Sequence, residues 1–268
     1  MKSKVCSFLF LFAVALVIAA APVRAQLMPL EFEMPQIVGL GLGFVPDYEG
    51  SDDYQIAAAP QFRYTFAKQE RYIQLLANEL SANVVNHRNW RLGPKVAYHF
   101  GRDHNIEDSK VKRMKQIDGA IEGGAFVDYV FHMSQNPRHR ALVGADILAG
   151  ENGVKAGISG RYFVPVAKPV DLFLATRLNF VSGEYMDTYF GVDSKSSIRS
   201  GLKRYSADGG PKDIAFMGGA IWYLSRSWAT TAGLRYARLF NEAADSPVVD
   251  KRGSANQLIG GIGVAYMW

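Results

Sequence analysis

Val170-Asp171-Leu172-Phe173-Leu174-Ala175-Thr176-Arg177-Leu178-Asn179-Phe180 reads with a period of two. Val170, Leu172, Leu174, Leu178 and Phe180 fall on one side, and Asp171, Phe173, Ala175, Arg177 and Asn179 on the other. Successive side chains of a strand point to opposite faces, so the stretch is a strand with one apolar face. It is longer than the roughly five or six residues commonest in soluble sheets, and it matches the tilted span that a bilayer requires. The same alternation runs through Ile56–Phe66, Val154–Val164 and Leu258–Trp268. In each, the second face is rich in Gly, Ala and Ser with an occasional Arg, Lys or Asp. That composition suits the crowded, polar interior of a modest barrel better than an open aqueous surface.

Composition agrees with a folded, exported chain. Of 268 residues, 49% are hydrophobic, and 30 Lys+Arg stand against 25 Asp+Glu, which excludes a disordered polyelectrolyte. A single Cys excludes a disulfide framework and a cysteine-rich zinc site. Residues 1–25 read as a signal peptide: Lys2 and Lys4 precede the apolar run Phe8–Ala21, Pro22 ends it, and Val23-Arg24-Ala25 offers a cleavage site. Removing it takes away Lys2, Lys4, Arg24 and Cys6 and lowers the formal charge from +5 to about +2. No basic cluster of nucleic-acid type remains. No later apolar stretch is long enough for a spanning helix, which leaves a soluble exported domain or a membrane barrel. The strands decide for the barrel.

Twelve strands are predicted: 37–45, 54–66, 71–77, 81–86, 90–100, 118–131, 139–148, 153–164, 170–183, 214–224, 228–240 and 257–268. An even number places both termini on the periplasmic side. The connections 67–70, 86–89, 166–169 and 225–227 are short, whereas 101–117, 184–213 and 241–256 are long and would face outward. The pair 71–77 and 81–86 is too short to span, and merging it would break the parity. Residues 26–36 read as an extended periplasmic lead and 37–268 as the barrel. No helix-period segment stands out. Tyr64, Tyr98, Tyr129, Tyr162, Trp222, Tyr223, Trp228, Tyr236, Tyr266 and Trp268 lie near segment ends, where an interfacial aromatic girdle would put them. Arg63, Arg91, Lys95, Lys155, Arg161, Arg177, Arg235 and Arg238 are expected inside, with Asp128, Asp146 and Asp171. With the bulky Phe163 and Phe173 they should largely fill the lumen.

Two local patterns invite a chemical reading. Pro46-Asp47-Tyr48-Glu49-Gly50-Ser51-Asp52-Asp53 is rich in carboxylates, but it lacks the alternating register of a calcium loop and suits a structured turn instead. His132 and Ser134 share a strand face, as a hydrolytic pair would, yet they abut the turn Gln135-Asn136-Pro137 on the expected periplasmic side. A lipid-hydrolysing barrel therefore ranks third among the functions. His87, His99, His104 and His139 lie in or beside turns without metal-ligand spacing.

Gly39 to Asp53 resembles the opening motif of the MipA/OmpV family of outer-membrane proteins. The similarity returns at Trp90–Pro94, Tyr189–Val192, Tyr205–Gly210, Ala244–Val249 and Gly261–Tyr266, and so covers essentially the whole chain after the leader. Trp268 stands where a terminal Phe is usual. The resemblance implies an all-β, up-and-down transmembrane barrel in the Gram-negative outer membrane, among lipid and lipopolysaccharide, with no catalytic residues and no cofactor. It further implies a scaffold that binds a lytic transglycosylase and a murein synthase, both enzymes of peptidoglycan remodelling. The rival expectation is a small-solute channel or a surface-exposed adhesin working through the long loops.

Overall fold

The computed structural model describes residues 36–268. The expected signal peptide and residues 26–35 of the lead lie outside the described residues. Gln36, expected in the lead, opens the first strand. The strands are β1 (Gln36–Pro46), β2 (Tyr54–Thr65), β3 (Tyr72–Leu76), β4 (Glu79–Asn83), β5 (Trp90–His99), β6 (Ala120–His132), β7 (Arg140–Gly150), β8 (Gly153–Ala167), β9 (Val170–Val181), β10 (Gly210–Tyr223), β11 (Trp228–Leu239) and β12 (Asn256–Met267). Each pairs antiparallel with its chain neighbours, and β1 pairs with β12 from Ile37–Met267 to Phe44–Gly260. The sheet is a closed twelve-stranded barrel. Closure gives every strand a hydrogen-bonded neighbour on each side, which is what lets a sheet span hydrocarbon.

The alternation read from the sequence is the inside–outside alternation of this wall. In β9, Leu174 is 63% exposed while Phe173 and Asp171 are 3% and 2% exposed. In β2, Ile56 is 74% exposed and its neighbour Ala57 2%. Exposed Tyr64, Tyr98, Trp222, Trp228, Tyr236, Tyr266 and Trp268 decorate the outer face near strand ends, as a girdle requires. Two expectations need correction. Arg238 shares the outer parity of Leu234 and Tyr236 and is exposed, donating to Asn256 Oδ1 at 3.1 Å. Tyr223 points inward instead of joining the girdle, and its hydroxyl donates to Asp171 at 3.0 Å.

β1 starts and β12 finishes at one end of the barrel, together with the connections 66–71, 84–89, 133–139, 168–169 and 224–227 (the turn end). The opposite end carries the connections 47–53, 77–78, 100–119, 151–152, 182–209 and 240–255 (the loop end). Inside the turn end, Ile37, Val130, Leu142, Phe163, Phe173, Ile221, Ala229, Ala265 and Met267 form an apolar plug.

The short pair stays two strands. The β3–β4 hairpin is held by its neighbours: Ala77 N donates to Pro60 O at 2.8 Å, Tyr98 N to Asn78 O at 2.9 Å, and Asn78 Nδ2 to Tyr98 O at 2.8 Å. The β4–β5 ladder runs only from Glu79–Ala97 to Ser81–Lys95. Beyond it the Asn83 carboxamide takes over, donating to Glu70 O and Val85 O and accepting from the amides of Val85 and Leu92. Asn83→Ala would strand these backbone groups where water has little access. It should destabilise the barrel by about 2–3 kcal/mol, read as a lower urea midpoint in detergent; an unshifted midpoint would refute the bridging role.

The long loops contain helix that no periodicity announced: α1 (Gly183–Phe190), α2 (Ser194–Ser200), α3 (Glu242–Asp245), α4 (Pro247–Asp250) and a 3₁₀ turn at Val111–Arg113. Ser182 and Asp193 cap α1 and α2 by accepting from the amides of Tyr185 and Ser196, and Gly201 ends α2 at φ +74°. Two turns of helix are too few to display a 3.6-residue repeat, so caps rather than periodicity were the available signal. Buried Tyr185, Met186, Tyr189 and Phe190 of α1 pack with Leu239, Ala243 and Val249, while Val192, Leu202 and Val248 pack with Tyr48, Ile106, Val111 and Met114. The loops thereby make a lid with its own apolar core.

Candidate functional site

The carboxylate-rich loop Pro46–Asp53 is the keystone of that lid. Pro46 ends β1 opposite Tyr54, and the Asp47 amide donates to Asp53 O at 3.0 Å to close the turn. The Asp47 carboxylate accepts from the Glu107 amide at 3.1 Å, and the buried Tyr48 hydroxyl donates to Arg252 O at 3.1 Å. Ser51, wholly buried, accepts from the Asp53 amide. Gln257 of β12 clamps the turn from below, accepting from Gly50 N at 3.1 Å and donating to Ser51 O at 3.0 Å. Gly50 sits at φ +96°, and a Cβ there would meet Val249 Cγ2 at 2.6 Å, so only glycine fits both backbone and space. Asp52 is exposed at the tip.

Glu49 does something the sequence did not announce: it turns down into the barrel mouth. Its carboxylate pairs with Lys212 and accepts from the Tyr185 hydroxyl at 2.9 Å. Burial alone would raise its pKa, but the Lys212 ammonium and the two hydrogen bonds prevail and hold it below the ordinary value. Tyr185 is driven the other way, first by burial and then by the Glu49 charge. Lys212 in turn pairs with Asp213 at 3.1 Å. Both side chains lie inside because the β9–β10 register shifts between Pro211 and Asp213, a bulge that aims consecutive residues at one face. Strict alternation puts one of them outside, and the predicted strand began only at 214. His99, expected beside a turn, is buried beneath α1 with Tyr189 and Tyr185 at ring distances of 4.5 and 5.5 Å, and Lys155 Nζ lies 3.1 Å from its Nδ1.

Below the lid, the lumen holds a ladder of ion pairs. Lys95 bridges Glu79 at 2.7 Å and Asp146 at 3.1 Å, Arg177 meets Asp146 at 2.7 Å, Lys155 meets Glu122 at 2.6 Å, and Arg161 meets Asp128. Arg138 reaches Asp171 at 3.0 Å near the turn end. A cavity of about 120 Å³ remains among these groups. Arg63 and Arg91 are buried inside as expected, Arg63 over the Tyr72 ring at 3.9 Å. Glu79 and Glu122 were missed, although the inward parity of β4 and β6 could have disclosed them.

The remaining candidates do not assemble. His132 Nε2 lies 3.3 Å from Arg88 O, and Ser134 Oγ accepts from the Asn136 amide. No hydrogen bond joins the two among the described residues. Asp53 is crowded, and burial followed by the charges of Asp52 and Asp47 raises its pKa. Among the described residues, no three His, Cys, Asp or Glu are placed to hold a metal ion.

A latched lid over a paired lumen, led by the Pro46–Asp53 loop, can be set against known proteins. The family model described as MltA-interacting protein MipA matches residues 38–268. The chain belongs to this family. It is 32% identical over 191 residues to the outer membrane protein OmpV of Vibrio cholerae, covering 69% of this chain and 67% of the relative. It is 28% identical over 121 residues to the MltA-interacting protein of Escherichia coli, covering 45% of this chain and 48% of that one. In fold it is similar to an outer membrane channel from Pseudomonas putida F1, with a TM-score of 0.50 at 8% identity, over 91% of this chain and all of the other. Family and barrel together make the chain an outer-membrane β-barrel protein.

Proposed function

We propose that this barrel is a non-enzymatic scaffold whose turn end faces the periplasm and binds peptidoglycan-remodelling enzymes: a lytic transglycosylase and, with it, a murein synthase. The observation carrying this reading is the charge of the turn end. The described turns there hold Lys68, Arg71, Arg88, Lys168 and Arg226 against one carboxylate, Glu70, while Arg138 is paired with Asp171. The loop end carries an excess of acidic residues. A cationic rim on short, rigid turns is suited to an acidic partner surface, because it steers encounter and sets orientation. The name of the Escherichia coli relative supports the transglycosylase as that partner. The lid and the plug also speak for a surface function over a permanently open pore.

Capture of a purified lytic transglycosylase by the barrel in detergent tests the proposal. Lys168→Glu with Arg226→Glu should weaken capture about tenfold or more, and raising salt should weaken the wild-type interaction in the same direction. Retention of the transglycosylase by the charge-reversed protein would remove the reading.

A further inference from the structure

Side-chain volume is distributed unevenly around the lumen. The ion-paired groups project mainly from β4–β9. On the inner face of β11, β12, β1 and β2, the mid-height positions are Gly233, Gly261, Gly263, Gly41, Gly43 and Ala59. The bare backbones of these strands line a second cavity, of about 100 Å³. Met217, Leu76 and Ile259 make the rest of its wall mostly apolar.

One cation lines this cavity, Arg235, which also lines the cavity among the ion pairs. The carboxylate paired with it, Asp213, is 3.9 Å away, beyond hydrogen-bond distance. Asp213 is already held by Lys212 at 3.1 Å and by Asn179 at 2.8 Å, so it does not need the guanidinium. Arg235 Nε has no hydrogen-bond partner among the described residues. A buried guanidinium beside an apolar space fits a ligand that brings its own pair of acceptors, and a carboxylate matches the fork. The walls call for a hydrocarbon body behind that head.

The wall beside the cavity is also incomplete. The β2–β3 ladder ends at Gln61–Leu76 with the Ala77–Pro60 bond beyond it, and Tyr54–Ala59 pair only with β1. Ala59, Pro60, Leu76 and Ala77, the residues at that ending, line the cavity. The cavity also adjoins Leu42 and Ile262, which are exposed on the outer face, the side from which an amphiphile in the bilayer would arrive.

The geometry points to a binding site for a single-chain amphiphile with a carboxylate head, the head on Arg235 and the chain along the glycine strands. This does not depend on the murein reading. Isothermal titration of the full-length protein in detergent, against protein-free micelles, tests it with octanoate, acetate and octanol as probes. Octanoate should bind saturably at one site per chain, with acetate (head only) and octanol (chain only) each about tenfold weaker or more. Arg235→Gln should weaken octanoate by a similar factor, and Arg235→Lys should restore most of it. Gly41→Leu should abolish binding with Arg235 intact; a Cβ at Gly41 would meet Ile262 O at 3.3 Å, so the adjoining strand must give by a few tenths of an ångström while the side chain fills the space. Heat-modifiability on a gel verifies that each variant is folded. Equal octanoate affinity in Arg235→Gln or Gly41→Leu, or octanol binding as tightly as octanoate, would overturn the assignment.

Discussion

Lys212→Met should unlatch the lid and lower stability by about 3–5 kcal/mol, the range for removing one partner of a buried ion pair. The side chain is 5% exposed, and its ammonium answers two carboxylates, Glu49 from the loop and Asp213 from the bulge. Methionine keeps the length of the side chain but leaves Asp213, 2% exposed, with Asn179 and the distant Arg235. Urea unfolding in detergent would show the shift, and limited proteolysis would show cleavage within 100–119 or 182–209 that the wild type resists. An unchanged midpoint would mean that the pair merely compensates its own desolvation. Adding Glu49→Gln completes a double-mutant cycle that isolates the coupling.

The same latch has a defined pH dependence. The folded-state pKa of Glu49 lies below its ordinary value of 4.5, so the folded protein holds fewer protons there than the unfolded chain. The stability this contributes is fully present above that ordinary value and is lost as pH falls through the folded value. Wild-type loops should therefore become protease-sensitive as pH falls below the ordinary value of 4.5 and through the lowered folded one, whereas Lys212→Met should show no further change in that window. Equal acid sensitivity in both proteins would place the labile carboxylate elsewhere.

Phe173→Ala is the second large effect. Its ring lies 6.3 Å from that of Phe163 and over the glycines of the neighbouring strands, where a Cβ at Gly219 would collide with it and one at Gly233 would come to 3.2 Å. Those positions are shaped for the ring, so neighbours cannot collapse into the space it leaves. The expected cost is about 3–5 kcal/mol. The functional readout is conductance in a planar bilayer. Apolar clusters occupy both ends of the barrel, so the wild type and each single variant should be silent, while Phe173→Ala combined with Lys212→Met should conduct in steps. Steady conductance by the wild type would show that the lumen is open and favour the channel reading.

Much of the fold was legible because a barrel wall is a local pattern. The alternation in 170–180 already separated Leu172 and Leu174 from Asp171 and Phe173, and the twelve predicted strands correspond one to one with those observed. Parity failed where the backbone departs from regular alternation. The bulge at Pro211–Asp213 hid Lys212, and Arg238 and Tyr223 were assigned by residue type against the register of their own strands. The Pro46–Asp53 loop was recognisable as a structured turn, but nothing near it in the chain names its partners. Glu49 meets residues 136 and 163 positions away, and Gly50 meets one 207 positions away.

The sequence by itself determined the strands, their two faces and the membrane-spanning architecture, because each follows from side chains within a few residues of one another. Only the tertiary structure decided that apolar clusters gather at both ends of the barrel, the loop end latched by Glu49 and Lys212, and that Arg235, 3.9 Å from Asp213, lies beside a glycine-walled cavity. The reason is ring closure: it brings residues from opposite ends of the chain to within a few ångströms, and which charges then neutralise one another depends on distances that no local pattern encodes.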